Sequence, residues 1–385
     1  MRIGVNTRLL LPGTLEGIGR FTFEVLQRMV ETNPKDDFYF YFDRPYDEKY
    51  IFAENVHPVL LTPPARTPMQ WYWWFEKSLP KAMEKDQVEV FFSPELYASL
   101  KTDIPTLIIA HDIAYYHYPQ HFRWYHLVYL KRFTPLFVHK AIRIGCVSHT
   151  TKKDLIESLN VPPEKLFVAE NGPTPGFSPM SDAERVDVRK KLTNGHPYFV
   201  YLGSIHPRKN TTRTIRAFEL FRDENPESNH RLILVGRMAW KTGKTKSAIS
   251  KNKYQEDIIH LGQREDAHTI LGAADALLYV SLFEGFGIPI LEAFASHTPV
   301  ITSKVGSMKE VAGDAALLSN PLQTKSIAHC MSALYKDPIL PKRLVEKGIE
   351  RLIQYSWDKT TNILYRELST LAKGLSKNES LAANI

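Results

Sequence analysis

Short apolar runs alternate along the chain with longer segments in which apolar positions recur at helical spacing. This alternation is typical of parallel β-strands covered by α-helices. It occurs twice, before and after residues 171–176, whose sequence NGPTPG is the densest cluster of turn-forming residues in the chain. The pattern predicts an α/β fold with two Rossmann-like, doubly wound domains that face each other across a cleft, with ligand at the carboxyl ends of the strands.

The predicted first domain covers residues 1–175 and the second covers residues 190–356. A last predicted helix, residues 357–373, is expected to cross back onto the first domain, and the polar residues after it are expected to fray. The predicted strands are residues 2–6, 37–43, 56–61, 88–93, 106–112, 142–148, 198–203, 231–236, 258–262, 277–280 and 300–303. The other predicted helices are residues 18–31, 69–85, 124–141, 150–160, 211–223, 267–274, 288–295, 322–336 and 341–354.

The most informative stretch is residues 276–295, in which a buried strand leads through a glycine turn into a helix. Gly285 and Gly287 permit close approach of backbone to a ligand, and the N–H groups that begin the helix favour a phosphate. Glu284 and Glu292 lie at either end of the turn. Because apolar residues flank Glu292, its carboxylate needs a hydrogen-bonding partner, and a ribose diol is one such partner. The stretch therefore predicts a nucleotide-sugar site.

Charged side chains also follow two other predicted strands. Arg208 and Lys209 come after the strand that ends at Gly203, and both can hold a diphosphate. His111 and Asp112 end a strand of the first domain. A histidine at this position can hydrogen-bond a sugar hydroxyl or stabilise a developing charge. An ordinary loop histidine with no role in binding is an equally good interpretation of His111.

Composition narrows the classes of function. The net charge of +7 suits phosphorylated substrates or an anionic surface, but no common nucleic-acid module signature is present and we expect no nucleic-acid partner. We expect no required metal or other cofactor, because no metal-ligand cluster stands out. With two cysteines, no visible signal peptide and no membrane-length apolar run, the chain is expected to be cytoplasmic, with contact at the inner face of the membrane left open.

Residues 69–75, MQWYWWF, are aromatic all round a predicted helix. One face, formed by Trp71, Trp74 and Phe75, is predicted to be core. For Tyr72 and Trp73 three alternatives remain open: core, a surface for a sugar acceptor, or a membrane interface.

The run from Glu284 to Glu292, EGFGIPILE, resembles the paired-glutamate signature of retaining glycosyltransferases of family 4, also described as glycosyl transferases group 1, which have the GT-B fold. The similarity extends over nearly the whole chain, through residues 17–20, 111–112, 171–172 and 203–210. It implies transfer of a sugar with retention, without a metal, from a nucleotide-sugar donor to a glycan or lipid-linked acceptor.

The resemblance also implies roles for single residues. His111 would lie beside the anomeric centre, Glu284 would contact the donor sugar, Glu292 the ribose, and Arg208 and Lys209 the diphosphate. The further donor-binding positions are Gly17, Gly203, Phe286, Gly287 and Ile288.

One departure from the family pattern is that Ser204 stands where many members have arginine, so that Arg208 would supply the guanidinium. The form Pro-Arg-Lys-Asn at 207–210 resembles a mannosyltransferase-like subgroup and favours a GDP-sugar such as GDP-mannose. Two alternatives compete with this assignment. One is a catalytically silent nucleotide- or glycan-binding module on the same fold. The other, a nicotinamide oxidoreductase, is disfavoured because residues 13–19 do not complete a G-x-G-x-x-G fingerprint.

Overall fold

The protein, in a computed structural model that describes residues 1–13, 15 and 17–382, divides into two compact units. The first comprises Met1–Asn171 and Ser356–Ile385, and the second comprises Gly172–Tyr355. The second unit is thus inserted into the first. The domain start expected at residue 190 falls inside a helix, Asp182–Thr193, which belongs to the second unit.

The described part of the first unit contains a seven-stranded parallel sheet in the order β3-β2-β1-β4-β5-β6-β7. Its central strands carry buried apolar side chains along their length, as expected for strands covered on both faces. The strands are β1 (Arg2–Asn6), β2 (Asp37–Phe42), β3 (Val56–Leu60), β4 (Val90–Ser93), β5 (Thr106–Ala110), β6 (Arg143–Cys146) and β7 (Leu166–Val168).

The second unit, which the structure describes throughout, has a six-stranded parallel sheet in the order β10-β9-β8-β11-β12-β13. In both sheets the strand order reverses direction in the middle, between β1 and β4 and between β8 and β11. Ligands of doubly wound sheets bind at such switch points. The strands are β8 (Tyr198–Leu202), β9 (Arg231–Val235), β10 (Ile258–Gly262), β11 (Ala276–Tyr279), β12 (Val300–Ser303) and β13 (Leu317–Ser319).

Helices cover the sheets. Those of the first unit are α1 (Ile18–Thr32), α2 (Pro68–Trp73), α3 (Leu79–Lys85), α4 (Ala114–His117), α5 (Trp124–Lys140), α6 (His149–Leu159) and, at the end of the chain, α15 (Trp357–Ala382). Those of the second unit are α7 (Asp182–Thr193), α8 (Thr211–Glu224), α9 (Gly243–Ser250), α10 (Ala267–Gly272), α11 (Ile288–Ala295), α12 (Gly306–Ala312), α13 (Thr324–Lys336) and α14 (Leu340–Leu352). None of the helices in the described chain has both the length and the apolar character to cross a membrane.

The helix expected over residues 69–85 is present as continuous helical backbone, but a π-helical turn, Trp74–Ser78, that was not predicted lies within it, between α2 and α3. Pro80 explains the interruption. Proline has no backbone N–H, and its ring clashes with the carbonyl four residues earlier in a regular α-helix. Of the aromatic side chains, Trp71, Trp74 and Phe75 are buried as predicted, whereas Tyr72 and Trp73 are exposed.

Helix α15 packs on the first unit. Its first residue, Trp357, is buried and meets Phe21 of α1 edge to face, with ring centroids 5.9 Å apart. Further along, Glu367 accepts a hydrogen bond of 2.7 Å from Arg143 Nε, and Tyr365 donates one of 2.6 Å to Asp36. The helix was expected to end at residue 373, but its backbone continues to Ala382, and residues 383–385 lie outside the described part.

We predict that Trp357→Ala lowers the free energy of unfolding by about 3–5 kcal/mol, because truncation of a buried tryptophan leaves a cavity. Urea unfolding followed by circular dichroism measures the loss. The matched control is Ile353→Ala, which alters a side chain that is 82% exposed and should change stability by no more than about 0.5 kcal/mol. Equal stability of the two variants would contradict the assignment of Trp357 to the core of the first unit.

Candidate functional site

Glu284 is at the centre of the candidate site in the second unit. It follows β11, and its carboxylate is 8% exposed. Lys209 Nζ lies 2.7 Å from Oε1, and Arg208 Nη1 lies 3.7 Å from Oε2. Burial alone would raise the pKa of Glu284, but Lys209 and Arg208 outweigh burial and lower this pKa to about 2. The carboxylate of Glu284 therefore remains ionised throughout the physiological pH range.

Arg208 and Lys209 are held in place by the loop that carries Glu284. They end a short 3₁₀ turn, Pro207–Lys209, between β8 and α8. Lys209 Nζ donates to the Tyr279 hydroxyl at 3.0 Å, and Arg208 Nη1 donates to the carbonyl of Phe283 at 3.2 Å. The sequence predicted these two cations near the glycine turn because β8 and β11 would end at one edge, and the two strands are indeed neighbours in the sheet.

Asn210 fixes the geometry of the loop, a role that sequence reasoning missed. It has left-handed backbone torsions, with φ of 60°, which asparagine tolerates better than most residues. Its buried side-chain amide donates to the carbonyls of Val280, at 2.9 Å, and Pro321, at 2.8 Å. Asn210 directly precedes α8, but its side chain makes no capping bond and instead joins the loops after β8, β11 and β13.

Side-chain hydroxyls hold the loop between β11 and α11. Ser303 donates to the carbonyl of Ser281 at 2.5 Å, and Ser307 donates to the carbonyl of Glu284 at 2.7 Å. All of these groups are buried. Buried carbonyl groups need hydrogen-bond donors. The hydroxyls of Ser303, on β12, and Ser307, on α12, therefore hold the backbone of the loop that carries Glu284.

The glycine turn leads directly into α11. Gly287 has φ of +116°, a conformation for which glycine is suited, and Ile288 is the first residue of the helix. Phe286 is buried against the ring of Tyr355, with centroids 5.7 Å apart. The N–H groups that begin α11 therefore follow Gly287 in the chain, shortly after Glu284.

Glu292, on α11, is 8% exposed, and its Oε1 accepts a hydrogen bond of 2.6 Å from the hydroxyl of Thr174. The prediction that this carboxylate is not simply solvated is confirmed. Thr174 was missed as a partner, because it lies in the turn-rich segment, residues 171–176, for which the sequence predicted no functional residue.

Gly203 directly follows β8, and its backbone N–H donates to the carbonyl of Val235 at the end of β9, at 2.9 Å. Its φ is +134°, and a Cβ added to the facing Gly236 would lie 1.9 Å from the carbonyl oxygen of Gly203. Neither backbone conformation suits a residue with a side chain. The close backbone contact therefore requires glycine at position 236, whereas at position 203 the positive φ is what favours glycine.

His111, in the first unit, directly follows β5 and is partly buried. Its Nε2 lies 2.8 Å from the carbonyl oxygen of Pro94, and its ring meets Phe21 edge to face at 4.9 Å. Because a carbonyl can only accept, Nε2 must carry the proton. Burial lowers the pKa of His111, so that the neutral ring has Nδ1 as an acceptor.

A buried ion pair beside His111 was not predicted from the sequence. Arg8 Nε and Nη2 donate to the two carboxylate oxygens of Glu95 at 2.5 and 2.6 Å, and Asn6 Nδ2 donates to Oε1 at 2.7 Å. Glu95 immediately follows Pro94, the partner of His111. The ion pair therefore fixes the carbonyl that holds the histidine ring.

Gly17, the other candidate of the first unit, precedes α1 with φ of +47°, and its carbonyl accepts from Phe21 N at 3.0 Å. Residues 14 and 16, in the loop that precedes Gly17, lie outside the described residues. The structure thus brings Arg208, Lys209 and Glu284 into one cluster of the second unit, and it gives His111 and Gly17 separate surroundings in the first.

Comparison with known proteins covers both units. A family model described as Glycosyltransferase Family 4 matches residues 15–175, and one described as Glycosyl transferases group 1 matches residues 182–351. The chain is 25% identical over 361 residues to O-antigen chain mannosyltransferase B of Escherichia coli, covering 90% of this chain and 94% of the relative. It is 27% identical over 297 residues to O-antigen chain mannosyltransferase RfbU of Salmonella typhimurium strain LT2, covering 73% and 76%.

Solved structures show the same fold at lower identity. The glycosyltransferase WaaG, involved in lipopolysaccharide biosynthesis, superposes with a TM-score of 0.76 and 15% identity over 95% of this chain and 99% of that one. Anabaena HepE in complex with UDP and glucose gives a TM-score of 0.76 and 17% identity over 96% and 100%. Since the two family models together match most of the chain and both units have the expected sheets, the chain belongs to glycosyltransferase family 4 and has the GT-B fold.

Proposed function

We propose that this glycosyltransferase moves a sugar, with retention of configuration, from a nucleoside-diphosphate donor to a glycan or lipid-linked acceptor in polysaccharide assembly. GDP-mannose is the favoured donor. The observation that carries the proposal is the cluster of Arg208, Lys209 and Glu284 beside the start of α11. Two cations opposite one carboxylate leave one net positive charge, which suits the diphosphate of a donor.

In this mechanism the diphosphate leaves with electrostatic help from the protein. Arg208, Lys209 and the N-terminus of α11 stabilise the negative charge that develops on it, so that no divalent metal is required. The acceptor hydroxyl attacks on the face from which the diphosphate departs, and a diphosphate oxygen takes its proton. The glycosidic bond to the acceptor forms as the bond to the diphosphate breaks, and nucleoside diphosphate is released.

Glu284 is better suited to positioning the donor sugar than to attacking it. A carboxylate with a pKa of about 2 that is paired with two cations is a weak nucleophile, since its electron pairs are already engaged. Glu292 is proposed to bind the ribose diol, because its buried carboxylate accepts hydrogen bonds from hydroxyl groups, as it does from Thr174. Phe286, Gly287 and Ile288 are proposed to supply backbone contacts, and His111 to accept a hydrogen bond from a sugar hydroxyl through Nδ1.

The preference for a mannosyl donor is supported by the relatives, two of which are named as O-antigen chain mannosyltransferases. Their identity to this chain, 25% and 27%, supports the reaction class more strongly than it supports the sugar. The alternative of a silent binding module is less well supported, because both glutamates and both cations of the donor site are present and paired within the second unit.

We predict that GDP-mannose binds and is slowly hydrolysed when the protein is incubated with a panel of GDP-, UDP- and ADP-sugars. Release of nucleoside diphosphate, measured by a coupled assay with and without EDTA, reports donor cleavage. Activity that survives EDTA supports metal independence. Preference for another sugar nucleotide would contradict the donor assignment alone, whereas binding without cleavage of any donor, even with candidate acceptors, would favour the silent module.

We predict that Glu292→Gln weakens nucleotide binding by about 1.5–3 kcal/mol, since it removes a charged hydrogen-bond acceptor. Isothermal titration with GDP, or with whichever nucleotide the panel selects, measures the change in Kd. The control is Glu227→Gln, at an exposed position in the same unit, which should leave affinity unchanged. Unchanged affinity of Glu292→Gln would remove the residue from the nucleotide site.

We predict that Lys209→Ala lowers kcat by about a hundredfold or more, because one of the charges that stabilise the departing diphosphate is lost. The same change raises the pKa of Glu284 from about 2, so that the acid limb of the kcat profile moves to higher pH. The control, Lys244→Ala, alters an exposed lysine of α9 and should leave both quantities unchanged. A variant at position 209 with normal turnover would refute the diphosphate role.

A further inference from the structure

Tyr279, the last residue of β11, is a buried tyrosine next to Lys209. It is 2% exposed, and its backbone carbonyl accepts a hydrogen bond of 2.7 Å from the hydroxyl of Thr302 on the neighbouring strand β12. The second sheet therefore holds the backbone from which this side chain projects. Because so little of Tyr279 is exposed, any effect that it has on a ligand must act through the groups around it.

The side chain of Tyr279 lies close to both parts of the proposed diphosphate site. A Cβ added to Gly287 would lie 3.5 Å from Cε1 of the ring, so the ring packs beside the glycine turn that leads into α11. At the other side, Lys209 Nζ donates to the hydroxyl at 3.0 Å and lies 5.1 Å from the ring centroid. One buried side chain thus joins the glycine turn to the loop that carries the cations.

The ammonium group of Lys209 has three N–H groups and two fixed oxygen neighbours. Nζ lies 2.7 Å from Oε1 of Glu284 and 3.0 Å from the hydroxyl oxygen of Tyr279. These oxygens leave one N–H, for which the described residues provide no further acceptor. Lysine has a flexible stem and rotatable donors, so that a second fixed oxygen is needed to set the direction of the remaining N–H.

The phenol of Tyr279 keeps its proton at physiological pH. Burial, together with the charge of Glu284, raises the pKa of Tyr279 well above the ordinary value for a phenol. Its oxygen is therefore a neutral acceptor for Lys209. Replacement of Tyr279 by phenylalanine removes this acceptor and leaves the net charge of the site unchanged.

We propose that Tyr279 is a positioning residue for sugar transfer, whose hydroxyl orients the Lys209 ammonium so that its remaining N–H faces the departing diphosphate. This role rests on the proposed function, in which Lys209 stabilises that diphosphate. The charge of Lys209 alone attracts the donor, whereas the direction of its N–H groups matters most as charge develops on the leaving oxygen. Tyr279 contacts no substrate in this role and acts only through Lys209.

The first test compares Tyr279→Phe with the parent in cleavage of the donor that the nucleotide-sugar panel selects. The substitution keeps the ring beside Gly287 and its attraction for the Lys209 ammonium. We expect kcat to fall by about tenfold and the donor KM to stay within about twofold, because the lost interaction acts in the transition state. The matched control, Tyr198→Phe, removes another buried hydroxyl of the same sheet, which donates to the carbonyl of Ile270 at 2.6 Å, and should leave kcat unchanged.

A double-mutant cycle separates positioning of Lys209 from a general structural role. In a Lys209→Ala background, Tyr279→Phe should lower kcat no further, since the hydroxyl has no ammonium to orient. Thermal unfolding of Tyr279→Phe and Tyr198→Phe verifies that both variants are folded. Equal kcat for Tyr279→Phe and the parent would overturn the proposal, and so would independent, multiplicative losses of kcat in the double variant.

Chemical labelling of Lys209 tests the same contact without the transfer reaction. Pyridoxal 5′-phosphate followed by borohydride labels accessible lysine amines, and peptide mass spectrometry measures the label at position 209. We expect labelling about threefold faster or more in Tyr279→Phe, and at the parental rate in Tyr198→Phe, because the amine must leave its hydrogen-bond partners to react.

The two measurements fail in distinguishable ways. Equal labelling of Lys209 in Tyr279→Phe and the parent would overturn its orientation by the hydroxyl, whatever reaction the protein performs. If the parent cleaves no donor but the labelling rates differ as expected, the proposed function is wrong and the orientation of Lys209 by Tyr279 is supported.

Discussion

A buried carboxylate must be neutralised where it lies, and the loops of the second unit are arranged around that requirement at Glu284. Removing such a group from water is costly unless cations and hydrogen bonds replace its hydration. Arg208 and Lys209 supply the charge from the loop after β8, while Asn210 and Ser307 fix the two backbones. These ion pairs and hydrogen bonds offset the free-energy cost of burying Glu284, and they require both loops to be in place.

The first unit contains a similar arrangement at the corresponding place. Arg8 follows β1 and Glu95 follows β4, and these strands are neighbours at the point where the strand order reverses. In the second unit Lys209 and Glu284 follow β8 and β11, the neighbours at the equivalent point. Helices diverge to opposite faces at such a switch point and leave a crevice, so that charged side chains can be inserted there without disrupting the helix packing. In each sheet an ion pair therefore joins the two loops that follow the strands on either side of the switch point.

Sequence patterns revealed the parts of the structure that depend on local periodicity. Buried parallel strands are continuous apolar runs, and their carboxyl ends share an edge, so that Arg208, Lys209 and Glu284 could be grouped before their distances were known. The partners Thr174 and Asn210 could not be found in this way, because each acts on residues distant in the sequence. The strands β7 and β13 are three residues long, too short for a periodic signal. Helix α7 did carry a signal that was overlooked, since Ser181 and Glu184 form a capping box at its start.

Because the second unit is inserted into the first, the second unit is one continuous segment of the chain and the first unit is built from two segments. Residues 172–355 are continuous and contain their own sheet and core, so that they can be produced as one segment. The first unit has no such option: residues 1–171 alone would lack α15, and Phe21 would lose the indole that covers it. During synthesis, the core of the first unit is therefore completed only after α15 has been made, whereas the inserted unit can fold as soon as it has emerged.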